Sequence, residues 1–259
     1  MNIGILGAGA FGMALGNILK KNGHNIDYFD PKIAGSTIEN VVDNADIILL
    51  AVPSSVLPGT IELLPKNKPI IVATKGILND KIFDGFSDVM VISGPGFAKD
   101  IEDQQDTYLT ITDDRLSELF KADYLHFDFT KDARGVLMCG ALKNVYAILA
   151  GFLNLAPGTM EHAEFLEAVA TEMKAILSAN GADPDTVDLS CGVGDLKITC
   201  AYPSRNYEFG QKVRLDPTYK PEKTVEGWTA LNKIKNGEII IPESAKYMRE
   251  LMSRSDEWD

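Results

Sequence analysis

Histidine and cysteine are both scarce in this sequence, with three of each among 259 residues. The cysteines, Cys139, Cys191 and Cys200, lack the spacing of metal ligands and lie among apolar residues or glycines. We therefore expect reduced thiols in a reducing compartment rather than disulfides. The histidines are not clustered at metal-ligand spacing either, so the sequence predicts no metal site.

Positive charge is also in short supply, since 25 Lys and Arg stand against 37 Asp and Glu, a formal net charge of -12. A nucleic-acid partner requires an excess of cations on at least one face, and this balance argues against one. It does not exclude a small phosphorylated ligand, because a few basic side chains can form a positive pocket on an acidic surface.

Long uninterrupted hydrophobic runs are missing as well. The longest, Val145–Ala156, has about 12 residues, whereas a membrane-crossing helix needs roughly 20. Neither a basic segment nor a cleavage site of small residues accompanies the apolar run Ile3–Leu6, and we expect no secretory signal. These features predict a soluble, cytoplasmic protein without stable membrane insertion.

The first half of the chain alternates short β-branched runs with helix-like segments, which predicts an α/β fold with a mostly parallel, doubly wound sheet. From about Arg134 the pattern changes to long apolar helices, Val136–Leu153 and Glu161–Ala179, and we predict an all-helical C-terminal domain from residue 133. The predicted strands are Asn2–Leu6, Asn25–Phe29, Ile47–Val52, Pro69–Ala73, Val89–Ile92, Tyr108–Ile111 and Tyr124–Phe127, and the predicted helices between them include Phe11–Asn22, a segment opened by the capping-box spacing of Ser36 and Glu39, and Val56–Leu64.

A glycine-rich turn follows the first predicted strand and opens the first helix. In this context Gly7 allows a tight turn, Gly9 lets the backbone approach a pyrophosphate, and Gly12 brings helix and strand close. The pyrophosphate would lie at the positive end of the helix that begins near Phe11. The alternative is a glycine-rich turn that only closes a βα unit.

Asp30 ends the second predicted strand at about the spacing expected of a dinucleotide-binding fingerprint. Its carboxylate can accept hydrogen bonds from both ribose hydroxyls and would repel a 2′-phosphate, which favours NAD and leaves NADP as the second choice. The alternative is that Asp30 and Pro31 only form a turn. We thus predict a Rossmann-like dinucleotide-binding domain over residues 1–132.

Six further strings are Val52-Pro53-Ser54, Thr74-Lys75-Gly76, Ser93–Ala98, Gly140-Ala141-Leu142-Lys143-Asn144, Gly192–Leu196 with Thr199-Cys200, and Ser204-Arg205-Asn206. In this order along the chain they resemble NAD(P)-dependent glycerol-3-phosphate dehydrogenase, and the chain is identified as a shortened member of that family. The resemblance implies interconversion of dihydroxyacetone phosphate and sn-glycerol 3-phosphate by hydride transfer, feeding glycerophospholipid synthesis. It makes residues 133–259 the substrate-binding and catalytic domain.

Reduction of a ketone by hydride needs an acid to protonate the developing alkoxide, and the reverse reaction needs the same group as a base. The resemblance assigns this role to Lys143, whose pKa must be lowered by burial or by another cation. Lys75 is the candidate cation and can also polarise the carbonyl oxygen. The resemblance further implies that Asp195 orients Lys143 and holds a substrate hydroxyl, while Asn144 and Thr199 complete the polar shell.

Arg205 is the residue that we expect to hold the substrate phosphate, because a guanidinium can bond two phosphate oxygens at once. Asn206 would add an amide donor and Ser204 a hydroxyl, at the start of a helix near Pro203. The alternative is that these residues only cap that helix. The resemblance also implies a substrate contact at Gly94 and cofactor contacts at Ala10, Phe11, Lys75, Ala98, Arg205 and Glu226.

The chain departs from the family pattern at several positions. Met160 and His162 stand where an Asn and a Lys are usual, Ala168 where an Arg is common, and Gly96 where a hydroxyl residue often lies. The departures bear on substrate affinity and oligomer contacts more than on hydride transfer, and a homodimer is one assembly left open. Two other hypotheses also stay open: a related reductase of another small phosphorylated substrate or hydroxyacid, and a non-catalytic NAD(H)-binding sensor.

Overall fold

The computed structural model describes residues 1–201 and 203–258. The chain divides into two compact units: unit 1 contains Met1–Thr74 and Asp80–Ala133, and unit 2 contains Lys75–Asn79 and Arg134–Asp259. The sequence placed one boundary between residues 132 and 133. The structure adds a short excursion, because the segment after Thr74 groups with the helical unit.

Unit 1 is built on a seven-stranded sheet, and the predicted Rossmann-type, doubly wound architecture is confirmed. The strand order is β2-β1-β3-β4-β5-β6-β7, and all neighbours are parallel except β5 and β6. The predicted strand bounds differ from these by at most two residues. The strands are β1 Asn2–Leu6, β2 Asn25–Phe29, β3 Ile47–Leu50, β4 Ile70–Val72, β5 Val89–Ser93, β6 Thr107–Ile111 and β7 Leu125–Phe129.

The central strands of this sheet are buried on both faces, as their continuous apolar runs require. Every residue of β3 and β4 is buried. The longest helix of unit 1 presents Leu15 and Leu19 to a core that includes Ile5 and Leu49. The helices of unit 1 are α1 Ala10–Lys21, α2 Ile38–Asp43, α3 Leu57–Glu62, α4 Ala98–Glu102 and α5 Arg115–Leu119.

The start of α2 differs from the capping-box prediction by one residue. Thr37, not Ser36, caps the helix, and its hydroxyl accepts a hydrogen bond from the Asn40 N–H at 3.2 Å. The Ser36 hydroxyl instead donates to the Tyr28 carbonyl at 2.7 Å, so it fixes the preceding loop to β2. Both residue types can cap a helix, and the tertiary contact decides between them.

The described part of unit 2 is helical, which confirms the predicted all-helical C-terminal region. Its central helix is buried on all sides from Gly135 to Gly151. A π-helical turn, Ser190–Gly194, leads into the short helix that carries Asp195. The α-helices are α6 Ala133–Phe152, α7 Met160–Ala179, α8 Asp195–Thr199, α9 Arg205–Leu215, α10 Glu226–Lys235 and α11 Lys246–Arg254.

By length and composition, α6 is long and apolar enough to cross a membrane, and among the described residues it alone meets that test. The uninterrupted apolar run of about 12 residues that the sequence shows is only part of α6, which also includes Arg134 and Lys143. Within unit 2, however, 94% of the tested part of α6 is buried, as expected for a core helix of a folded protein.

A buried carboxylate connects three helices of unit 2. Glu172 of α7 accepts a hydrogen bond from the Tyr146 hydroxyl of α6 at 2.9 Å. It also accepts from the Tyr247 and Met248 N–H groups, at 2.8 and 3.2 Å, in the first turn of α11. These N–H groups lack partners within their own helix, so Glu172 caps α11 from a neighbouring helix. The pKa of Tyr146 is raised well above its usual value, by burial first and then by Glu172.

Candidate active site

The candidate site contains a buried lysine, Lys143, in the middle of α6 and 2% exposed. Its Nζ forms an ion pair with Asp195 Oδ1 and donates a hydrogen bond to Thr199 Oγ1 at 3.1 Å. Asp195 and Thr199 are four residues apart on α8, and such a spacing places both side chains on one helical face. The Thr199 hydroxyl in turn donates to the Asp195 carbonyl at 2.6 Å.

The second oxygen of Asp195 faces another cation. Lys75 Nζ lies 3.4 Å from Asp195 Oδ2, and its side chain is 27% exposed whereas that of Asp195 is 1% exposed. The segment of unit 2 that follows Thr74 thus brings a lysine to the buried carboxylate. The result is a cluster of one anion between two lysines, which we call the lysine cluster: Lys75, Lys143, Asp195 and Thr199.

Burial lowers the pKa of Lys143 to about 7. The ion pair with Asp195 opposes this effect, whereas the positive charge of Lys75 adds to it. Because a charged amine is costly to bury, the neutral and protonated forms of Lys143 have similar free energies near neutral pH. An amine of this kind can donate a proton in one direction of a reaction and accept one in the other.

Next to the lysine cluster, two asparagine side chains connect three helices. The Asn144 amide donates to the Gly140 carbonyl at 3.0 Å, and the Asn206 amide donates to Asn144 Oδ1 at 2.9 Å. Asn206 Oδ1 accepts from the Gly227 N–H at 2.9 Å. These bonds join α6, α9 and the first turn of α10. Asn206 retains one amide hydrogen for a ligand, since a side-chain amide has two.

Arg205 and Ser204 lie where α9 begins, two residues later than the predicted start near Pro203. Ser204 is the N-cap residue, and its side chain makes no capping hydrogen bond. Helix capping alone therefore does not explain why a hydroxyl side chain is present at Ser204. Arg205 is exposed, and its Nη1 donates to the Thr224 carbonyl at 3.3 Å. This long bond leaves most of the guanidinium donors for another acceptor.

A cavity of about 400 Å³ adjoins Arg205 in unit 2. Its wall also contains Lys212 and Lys223, together with the carboxylates of Glu208 and Glu222. Lys143 and Asp195 do not line it, so the cavity is not the place where the lysine cluster would meet a substrate. It contributes a mixed-charge surface on the side of α9 that carries Arg205.

The glycine turn of unit 1 has the backbone geometry that the sequence predicted. Gly7 has φ +104°, a region that favours glycine. A Cβ on Gly12 would lie 2.1 Å from the Gly7 carbonyl oxygen, so only glycine allows this approach of helix to turn. A Cβ on Gly9 would meet no atom within 4 Å, which leaves open space in front of α1. The turn thus fits a pyrophosphate at the start of α1.

The Asp30 carboxylate accepts hydrogen bonds from the glycine turn and from the turn that follows β2. Its Oδ2 accepts from the Ala8 N–H at 3.2 Å, and its Oδ1 accepts from the Lys32 N–H at 3.0 Å. The strand-ending turn that the sequence left as an alternative is therefore real. The carboxylate is only half-buried, and two acceptor positions remain for ribose hydroxyls. The structure shows no side-chain cap at Gly9, the N-cap residue of α1.

The other predicted contacts are distributed over the two units. Gly94 follows the last residue of β5, and Ala98 is the first residue of α4, both in unit 1. Glu226 is the first residue of α10 in unit 2. Ala10 and Phe11 open α1. Among the described residues there is no group of three or more His, Cys, Asp or Glu side chains that could hold a metal ion.

The sequence did not reveal the partners of Asn206 or of His162. His162 is buried, and its Nε2 lies 2.9 Å from the Cys200 carbonyl oxygen. Each contact joins residues more than 30 positions apart, and no local pattern signals such a pair.

Two family models match the chain. Residues 30–118 match the N-terminus of NAD-dependent glycerol-3-phosphate dehydrogenase, and residues 132–250 match its C-terminus. Glycerol-3-phosphate dehydrogenase [NAD(P)+] from Leptospira biflexa is 31% identical over 92% of this chain and 85% of that protein.

Two solved structures have the same fold. Glycerol-3-phosphate dehydrogenase from Coxiella burnetii has a TM-score of 0.78 and 22% identity, over 99% of this chain and 96% of that chain. The enzyme from Plasmodium falciparum has a TM-score of 0.80 and 20% identity, over 100% and 92%.

Proposed function

Because the chain belongs to the NAD-dependent glycerol-3-phosphate dehydrogenase family, we propose that it interconverts dihydroxyacetone phosphate and sn-glycerol 3-phosphate by hydride transfer with NAD(P)H. The family resemblance of the sequence motifs is confirmed. The observation that carries the proposal is the lysine cluster, in which a buried amine with a pKa of about 7 is held by a buried carboxylate.

Unit 1 supplies the glycine turn and Asp30 to the cofactor site in this proposal. The open space at Gly9 at the start of α1 and the remaining acceptor positions of Asp30 suit the pyrophosphate and a ribose of a dinucleotide. When bound, the reduced nicotinamide supplies the hydride to the substrate carbonyl carbon. The negative charge of Asp30 would repel a 2′-phosphate, so NADH is the preferred reductant.

Lys143 supplies the proton. In its ammonium form it donates a proton to the carbonyl oxygen as negative charge develops there, and as a neutral amine it takes the hydroxyl proton in the reverse direction. Asp195 and Thr199 hold Nζ in place. Lys75, which faces the second oxygen of Asp195, stabilises the developing alkoxide by its positive charge.

Arg205 holds the phosphate in this proposal, with Ser204, Asn206 and the first N–H groups of α9 as further donors. Asn144 and Asn206 are bonded to each other and follow Lys143 and Arg205 directly in the chain. This bond fixes the spacing between the proton donor and the phosphate-binding arginine. An unphosphorylated substrate would keep its contact with Lys143 and lose only the contact with Arg205.

The location and assembly belong to the same proposal. We place the protein in the cytoplasm, where its product would feed glycerophospholipid synthesis. A homodimer is the assembly that we would test first, by light scattering of the purified protein.

The test is oxidation of NADH, and separately of NADPH, by the purified protein with dihydroxyacetone phosphate or with unphosphorylated dihydroxyacetone. The variants are Lys143→Ala and, as a matched control, Lys174→Ala, which removes the lysine of an exposed Lys–Asp pair in unit 2. We expect phosphate-dependent activity with NADH, its loss in Lys143→Ala and its retention in Lys174→Ala. NADH binding without turnover would contradict the proposal and support a sensor, and turnover of another ketone alone would support a different reductase.

A further inference from the structure

The end of α8 is held by a residue of another helix. Cys200 is the C-cap residue of α8 and directly follows Thr199. The Cys200 carbonyl oxygen lies 2.9 Å from Nε2 of His162, which is 6% exposed in the first turn of α7. The carbonyl can only accept a hydrogen bond, so Nε2 must carry a hydrogen and donate it.

The position of His162 is itself fixed by its helix. Thr159 caps α7, and its hydroxyl accepts a hydrogen bond from the His162 backbone N–H at 3.3 Å. The imidazole is therefore attached to a 20-residue helix, whereas α8 has only five residues. A helix of five residues has too few internal hydrogen bonds to hold its own geometry. Contacts made by the ends of α8 must therefore hold its geometry.

The bond is only one residue away from the lysine cluster. Thr199, the neighbour of Cys200, accepts the hydrogen bond from Lys143 Nζ, and Asp195 lies one turn earlier on the same helix. A shift of the Cys200 carbonyl would move both side chains relative to Lys143. A displacement of about 1 Å in such a site can lower a catalytic rate by up to roughly a hundredfold.

We propose that His162 is a positioning residue for the reaction: its Nε2–H bond to Cys200 fixes the end of α8 and thereby keeps Asp195 and Thr199 in contact with Lys143. The inference rests on the proposed function, because it assigns His162 a role in the site that performs it. His162 is not a member of the lysine cluster and acts on it through α8.

Two variants that differ only in reach test the proposal. In His162→Gln the side-chain amide nitrogen is about as far from the backbone as Nε2 and can donate to the Cys200 carbonyl. In His162→Asn the amide nitrogen is about as far as Nδ1 and falls short. We expect His162→Gln to keep kcat within about twofold of the parent protein and His162→Asn to lower kcat by roughly tenfold to a hundredfold, with the KM for NADH unchanged.

The pH profile separates positioning from a merely structural role. If Asp195 moves away from Lys143, the ion pair that raises the pKa of the amine weakens, and the midpoint of the profile for ketone reduction shifts to lower pH in His162→Asn. A lower melting temperature with an unshifted midpoint would overturn the proposal. So would full activity of His162→Asn, or equal losses in both variants.

A measurement without turnover distinguishes this inference from the proposed function. The pKa of Lys143 can be followed by NMR of protein with isotope-labelled lysine, with Lys143→Ala for assignment. If the parent protein does not reduce dihydroxyacetone phosphate, the proposed function fails. A shift of the Lys143 pKa in His162→Asn but not in His162→Gln would still support the positioning role, and its absence would overturn that role.

Discussion

At the scale of single residues, Asp195 places one negative charge between the amino groups of Lys143 and Lys75. Two cations and one anion in a site of low exposure cannot all be stabilised equally, and the more buried amine gives up its proton first. The division of roles follows from burial: Lys143 is enclosed and titrates near neutrality, whereas Lys75 is partly exposed.

The pH dependence of the reaction follows from the Lys143 pKa of about 7. Reduction requires the protonated amine, so its kcat/KM should fall as pH rises through about 7, whereas kcat/KM for alcohol oxidation should rise over the same range. Lys75→Met removes a charge that lowers this pKa, and both midpoints should move to higher pH. Steady-state rates from pH 5.5 to 9.5, with Lys174→Ala as control, test this. An unchanged midpoint in Lys75→Met would exclude the assigned role of Lys75.

Cofactor preference should depend on the charge of Asp30. Asp30→Asn keeps an oxygen that can accept the bond from the Ala8 N–H but removes the repulsion of a 2′-phosphate. We expect kcat/KM for NADPH relative to NADH to increase by roughly tenfold, equivalent to about 1.4 kcal/mol. The control is Asp27→Asn, which neutralises an exposed carboxylate on β2, the strand that ends directly before Asp30. An equal change in both variants would indicate a general charge effect and contradict the assignment.

Residue identities in the site could be taken from the sequence more readily than their partners could. The motifs containing Lys143 and Asp195 are local strings, and the structure brings the two side chains together. The Asn144–Asn206 bond joins residues 62 apart, and the His162–Cys200 bond joins residues 38 apart. Neither leaves a local pattern, since a buried polar side chain is satisfied by whatever the tertiary fold brings close.

At the scale of secondary-structure elements, the sequence predicted the buried strands well and was less accurate at the starts of helices. Continuous apolar runs identified β3 and β4, because strands buried on both faces need no polar alternation. The start of α2 was wrong by one residue, because Ser36 is used by Tyr28 and Thr37 is left to cap the helix. The start of α9 was likewise placed too early.

Glu172 gives the clearest stability prediction at this scale. Glu172→Ala removes the buried acceptor of three hydrogen bonds and should lower the free energy of unfolding by about 2–4 kcal/mol. Tyr146→Phe removes one of them and should cost about 1 kcal/mol. The control is Glu164→Ala, an exposed position on the same helix, with an effect within about 0.5 kcal/mol. Urea denaturation measures all three, and equal midpoints for Glu172→Ala and the control would contradict the anchoring role of Glu172.

At the scale of the whole molecule, the proposed function assigns the glycine turn and the proton donor to different units. Unit 1 contains the glycine turn and Asp30, and unit 2 contains the lysine cluster and Arg205. The sequence indicated this division by its change from alternating strands and helices to long helices. It did not indicate that Lys75–Asn79 belongs with unit 2, because a five-residue excursion changes neither composition nor periodicity. The excursion nevertheless matters, because it delivers Lys75 to Asp195.

If the tasks are separate, single substitutions should abolish one and preserve the other. Gly9→Ala places a methyl group where the structure has open space, so the protein should fold with unchanged stability while the Kd for NADH rises by at least roughly tenfold. Lys143→Ala should lose turnover but still be stabilised by NADH, by about 2.7 kcal/mol at a hundredfold excess over Kd. Thermal denaturation with and without NADH, beside NADH titration, measures both effects.

Gly12→Ala is the control for this pair of variants, because its methyl group would lie 2.1 Å from the Gly7 carbonyl oxygen and should lower stability even without ligand. Stable Gly9→Ala protein with normal NADH affinity would show that the turn does not hold the pyrophosphate. Loss of the NADH-induced stabilisation in Lys143→Ala would show that cofactor binding depends on the proton donor itself. We therefore expect Gly9→Ala to fold but bind NADH weakly, Lys143→Ala to bind NADH but not turn over, and Gly12→Ala to fold poorly.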